Sequence, residues 1–290
     1  MPLPVWLSRF FRPHQPLPAG MHSLQTETQG APHRLHLRIE PDGNGLLIVD
    51  AATILHLNQT AAEYAFHLVH NTPPQQAARR IARRYRVSLR QARSDYERFR
   101  EQVYTLLQRP DLDPVQFIGL ERAAPYSRQV TAPYRLDCAL TYRLPEGQSP
   151  LAAPLKRVER ELTLAEWQHI LDLAWQHGVP HILFTGGEPT LRDDLPDLIA
   201  HAEANGQVTG LLSDGLRLAD RDYLNTLLQT GLDHLLMVLQ PENPAAWEAL
   251  ERILPQDLHT SVHLTLTPQN AARAGEIIKR LADLGANALS

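Results

Sequence analysis

The sequence predicts an α/β chain in two parts: a small winged-helix-like α+β domain, then a longer run of alternating strands and helices. Three observations carry this. The chain has 290 residues, more than one domain of about 150 residues usually takes. Within residues 33–108, three short strand patterns precede three helical ones. From Tyr134 onward, strand-like and helix-like stretches alternate, the signature of repeated βα units with right-handed crossovers.

Residues 1–32 are broken by proline and glycine and read as a flexible lead-in. His33–Ile39 alternates apolar and polar side chains, which predicts a half-buried strand. Pro41-Asp42-Gly43-Asn44-Gly45 is a turn cluster. Leu46–Val49 and Thr53–Leu57 are the next two strands. Asn58 is placed to cap a helix running to about Val69. Pro73 and Pro74 open a second, to about Arg84, since proline is tolerated in a first turn. Ser88 caps a third, to about Leu107. Its apolar positions Leu89, Ala92, Tyr96, Phe99, Val103 and Leu106 recur every three or four residues and predict one buried stripe. Residues 109–133 read as a linker, and 134–290 as the βα domain. There strands are expected near 136–142, 180–185, 207–212, 234–239 and 261–266. Helices are expected near 163–177, 193–205, 220–230, 244–254 and 270–284.

Composition narrows the function classes. Hydrophobic residues make up 43% of the chain, enough for true cores. No apolar run approaches the roughly 18 residues of a membrane span. The single cysteine excludes an intrachain disulfide and fits a reducing cytoplasm. It also excludes a cluster held by this chain's own thiolates, which takes three or four. Cys138, inside an apolar strand, reads as a buried small hydrophobe. Charge is uneven: residues 1–120 carry 14 basic against 10 acidic side chains, and residues 121–290 carry 14 against 22. Arg79, Arg80, Arg83, Arg84, Arg86, Arg90 and Arg93 stand together with no acid between Glu63 and Asp95. That is a footprint for something anionic, or else a solvated helix face. His67 and His70 lie three apart on one helix but have no third ligand nearby, so they read as surface histidines.

The most informative stretch is Phe184-Thr185-Gly186-Gly187-Glu188-Pro189-Thr190, at the end of the strand Val179–Phe184. Paired glycines allow close backbone approach, and Glu188 falls at the carboxyl mouth of a strand, where α/β folds place ligands. A helix-start carboxylate favoured by the dipole is the plain alternative. The stretch resembles the second-strand motif of radical S-adenosylmethionine (radical SAM) enzymes. That resemblance implies a partial (βα) barrel of six units. It implies that Gly186, Gly187, Glu188 and Pro189 hold the methionyl end of S-adenosyl-L-methionine, with Ser213 and Gln240 at neighbouring strand ends. Thr265 and Thr267 could line the same mouth. After its first strand, here Leu136–Arg143, the family has three cysteines spaced C-x3-C-x2-C for a 4Fe-4S cluster. In this sequence those positions are Leu144, Gln148 and Leu151. The cluster is thus expected from the family but not supported by the residues, and S-adenosylmethionine affinity is expected to be weak. The sixth strand barely begins at Ala286–Ser290, so a C-terminally incomplete domain is expected.

The first domain, through Ile54-Leu55-His56-Leu57-Asn58-Gln59-Thr60-Ala61-Ala62 and the helix pair behind it, resembles the PqqD-like peptide chaperone of pyrroloquinoline-quinone biosynthesis. This implies binding of a precursor peptide as an added strand along Thr53, Ile54, Leu55, His56 and Leu57, against the third helix. Arg90 and Arg93 would favour acidic peptide side chains. The combined expectation is a cluster-less protein of ribosomal peptide modification. It would bind peptide or act as a scaffold for an intact radical SAM enzyme. Whether it is an enzyme stays open, since another chain's cysteines could complete an active one. A winged-helix DNA-binding regulator is the third class, though nucleic acid is the less favoured partner.

Overall fold

The computed structural model describes residues 17–50, 53–109, 112–113, 117, 131–146 and 159–290. The chain divides into two compact units, Met1–Thr131 and Ala132–Ser290.

The first unit is an antiparallel sheet in the order β1-β2-β3-β4, with three helices. The strands are β1 (Gly20–Thr28), β2 (Ala31–Ile39), β3 (Gly45–Val49) and β4 (Thr53–Leu57). The helices are α1 (Gln59–Val69), α2 (Pro74–Tyr85) and α3 (Leu89–Gln108). The expected caps form. The Asn58 side chain accepts from the Ala61 amide and Ser88 from that of Gln91, each relieving an orphan helix donor. α3 buries Ala92, Tyr96, Phe99, Val103 and Leu106 as its spacing predicts, while Leu89 at its first turn is exposed.

β1 corrects the reading of residues 1–32 as lead-in. Nine residues pair with β2, from Gly20↔Ile39 to Thr28↔Ala31. Gln29, at positive φ, and Gly30 make the tight turn. The remaining lead-in, 1–16, and most of the linker lie outside the described residues.

The second unit is a six-stranded, wholly parallel sheet in the order β10-β9-β8-β7-β6-β5. Its strands are β5 (Arg135–Thr141), β6 (His181–Gly186), β7 (Val208–Ser213), β8 (His234–Val238), β9 (His259–His263) and β10 (Ala288–Leu289). The intervening helices are α4 (Leu164–Gln176), α5 (Leu195–Asn205), α6 (Arg221–Gln229), α7 (Pro244–Ile253) and α8 (Ala274–Asp283). Each βα unit adds its strand beside the last, in the sequential order of a singly wound barrel. The core is continuous, with Leu140, Phe184, Leu211, Leu235, Met237 and Val262 of successive strands among its members. All carboxyl ends therefore open at one rim, and that rim positions the candidate site.

Candidate functional site at the carboxyl rim of the parallel sheet

Gly186 and Gly187 are required by the chain itself. Gly186 sits at φ 133°, and a Cβ there would lie 2.4 Å from the Thr141 carbonyl oxygen. A Cβ on Gly187 would lie 2.1 Å from that of Arg143. The Gly187 amide donates to Thr141 O at 2.7 Å and the Glu188 amide to Arg143 O at 2.8 Å. The close approach expected of a ligand is made by the backbone leaving β5.

Glu188 is 3% exposed, and its carboxylate is spent on the protein. Oε1 accepts from the Thr190 amide at 3.0 Å, the Thr190 hydroxyl at 2.7 Å and the Ser213 hydroxyl at 2.8 Å. Oε2 accepts from the Asp214 amide at 2.8 Å. A carboxylate has about four acceptor sites, so this set leaves little for a ligand ammonium. Burial, then the charge of Asp214, pushes the Glu188 pKa up, against the pull of these hydrogen bonds. Ser213, placed by the resemblance at the next strand end, is joined to Glu188 directly. Pro189 opens a 3-10 turn, Pro189–Leu191, and the helix expected near 193–205 follows it as α5, Leu195–Asn205. Gln240 lies half-buried two residues past β8, and its carbonyl accepts from the Asn243 amide. Gly186, Ser213 and Gln240 thus share the rim, but no hydrogen bond links Gln240 to the Glu188 network among the described residues. Thr265 is exposed beyond β9, its hydroxyl 3.2 Å from His263 Nε2.

Sequence reasoning missed a second network beside this one. Arg192, 6% exposed, donates to Leu140 O at 3.1 Å and Leu162 O at 3.0 Å. Its other nitrogens make a bidentate pair with Asp194 at 2.8 and 2.7 Å. Asp194, the residue before α5, makes no side-chain cap bond; it holds this arginine instead. Glu161 accepts from the Thr141 hydroxyl and, at 3.0 Å, from the Tyr142 amide. Burial opposes its ionisation, but these bonds and the charges of Arg143 and Arg192 hold its pKa below the usual range. Together Arg192 and Glu161 stitch residues 140–142 to 161–162. The sequence between them carries the positions where the resemblance expects cysteines. A basic residue just after the Gly-Gly-Glu-Pro stretch and an acid just before α4 were the available signals, but their partners are carbonyls distant in sequence.

The residues present do not fit a thiolate-held cluster. Leu144 has no donor atom; Gln148 and Leu151 lie outside the described residues, and neither is a thiol. Cys138 faces the core, and burial, then the neighbouring Asp137 charge, pushes its thiol up to about 12. Such a thiol stays protonated and is a poor metal ligand.

Residues 138–258 match the model of the Radical SAM superfamily. The chain is 33% identical over 173 residues to a PqqA peptide cyclase of Streptomyces rochei, covering 54% of this chain and 47% of that protein. It is 35% identical over 120 residues to a PqqA peptide cyclase of Xanthomonas campestris pv. campestris strain B100, covering 40% of this chain and 31% of that protein. The chain therefore spans about half or less of the curated relatives it matches. A crystal structure of Streptococcus suis SuiB bound to precursor peptide SuiA overlaps loosely, with TM-score 0.47 and 12% identity, covering 92% of this chain and 72% of that one. No described helix is long and apolar enough to cross a membrane.

In the first unit, β4 is an edge strand. Leu55 and Leu57 are buried in the core with Phe99, Val103, Leu106 and Leu107 of α3, while Ile54 is exposed and Thr53 and His56 are half-buried. Arg90 and Arg93 are exposed on the opposite, N-terminal part of α3, which packs on α2 through Ala92 and Tyr96. Arg93 is also paired with Glu97 at 2.8 Å. β4 and the C-terminal half of α3 thus contribute side chains to one core, while Arg90 and Arg93 lie outside it. The reading of His67 as a surface residue is likewise corrected: it is buried, 3.7 Å from Glu63.

Proposed function

We propose that this chain is a radical SAM-like, PqqD-fused protein of ribosomal peptide modification. It binds a precursor peptide and presents it to a partner enzyme, and carries no cluster of its own. The observation that carries the peptide reading is β4, a short edge strand with its inward residues anchored and its outer edge at the limit of the sheet. Edge strands offer a row of backbone donors and acceptors to an added strand. The superfamily match and the peptide cyclase relatives support the setting. The lost thiols at 144, 148 and 151 support binding over radical chemistry, which needs the cluster to deliver an electron to the sulfonium. The carboxyl rim then serves as a frame, tied by Glu188 and Arg192. Any S-adenosylmethionine affinity left to it is weak.

Fluorescence anisotropy of the full chain against short peptides encoded beside its gene tests this. Leu55→Pro removes a ladder donor where proline is otherwise tolerated only at edges. It is expected to abolish binding while the circular dichroism of the helices persists. Peptide binding unchanged by Leu55→Pro, or sequence-selective duplex DNA binding with no peptide binding, sinks the proposal.

A further inference from the structure

The arginine run of the sequence is not absorbed by β4, and the structure shows where it goes. Arg79, Arg80, Arg83 and Arg84 fall at i, i+1, i+4 and i+5 of α2, a single stripe. Its rotation is fixed because Ala77, Ala78 and Ile81 are buried. The stripe forms one wall of a groove of about 400 Å³ whose other wall is Glu63, Phe66 and His67 of α1.

Two independent features mark this groove. Its cations are unbalanced. Arg84 Nε meets Glu63 Oε2 at 2.9 Å, but no carboxylate among the described residues pairs with Arg79, Arg80 or Arg83. On α3, by contrast, Arg93 is matched by Glu97 and Arg98 by Asp95. The groove floor also holds an unsatisfied polar atom. His67 is 2% exposed, with Nδ1 3.3 Å from the Thr72 hydroxyl. Its Nε2 is buried without a hydrogen-bond partner, 3.7 Å from Glu63 and beyond bonding reach. A native structure seldom leaves such an atom unpaired without a reason.

We infer that this α1–α2 groove takes the acidic side chains of an extended peptide. This deepens the peptide reading by naming a second contact and the chemistry it selects. Arginines four apart on a helix rise by about 6 Å. Alternate side chains of an extended chain are spaced by about 6.6–6.8 Å. Acids at every second position can therefore meet successive guanidinium groups, each suited to a bidentate carboxylate. Phe66 supplies an apolar surface on the facing wall. A duplex is the poorer fit: the site is concave, and α3 carries Asp95, Glu97 and Glu101.

The test uses the full chain and a fluorescein-labelled peptide of alternating Glu and Val, with its Gln–Val counterpart and a duplex DNA as competitor. The wild type is expected to prefer the Glu peptide. Arg79→Gln/Arg80→Gln/Arg83→Gln, and more strongly the corresponding Glu variant, should weaken that peptide by at least about tenfold. The Gln peptide should change little. Loss of preference in these variants with Leu55→Pro still binding the Glu peptide supports the groove and refutes strand addition at β4. A preference that survives both arginine variants overturns the groove and leaves strand addition standing. Duplex DNA bound by the wild type and lost in the same variants, with no affinity for the Glu peptide, also overturns it.

Discussion

Glu188 joins three segments of backbone through one carboxylate: its own strand end, the Pro189–Leu191 turn, and the Ser213–Asp214 end of β7. Removing it strands two buried amides, those of Thr190 and Asp214, and two buried hydroxyls, those of Thr190 and Ser213. Hydrogen bonds to a charged group are worth about 1.5–3 kcal/mol, and an orphaned buried donor costs about 1–3. The desolvation of Glu188 itself offsets part of this. Glu188→Ala is therefore expected to lower the stability of the second unit by about 2–4 kcal/mol, read from the urea midpoint. An unchanged midpoint would mean that the carboxylate is not a structural tie. The same residue shows what a motif can and cannot reveal. The paired glycines correctly announced a close backbone approach, but the approaching group is Thr141 to Arg143, and only the folded sheet names it.

At the scale of elements, the strands and helices of the second unit fall within a few residues of where their apolar periodicity puts them. Their buried faces are wide enough to leave a clear pattern. β1 escaped because Gly20–Thr28 has few large apolar residues and is held chiefly by its backbone ladder with β2. Edge strands of this kind carry weak patterns. The tie at Arg192 escaped for another reason: its carbonyl partners lie 30 and 52 residues away. Pairing at that distance cannot be read from the local sequence. Arg192→Leu leaves two carbonyls and Asp194 without their donor, and is expected to lower the stability of the second unit by about 2–4 kcal/mol, read from the urea midpoint. An unchanged midpoint would show that Arg192 is not a structural tie.

Across the whole chain, we assign recognition to the first unit and a frame to the second. The first has an edge strand and an arginine-lined groove, features proposed to take an extended acidic chain through backbone and side chains respectively. The second is a parallel α/β unit in which residues 138–258 match the Radical SAM superfamily model, and its one thiol is sealed in the core. We propose that the second unit carries no cluster of its own and serves a partner. Anaerobic reconstitution of the purified full chain with iron and sulfide tests this, read as bound iron per chain alongside visible absorption. No stoichiometric iron and no broad absorption are expected of the wild type. Retention of about four irons per chain, as in a 4Fe-4S centre, with the absorption to match, would overturn the proposal.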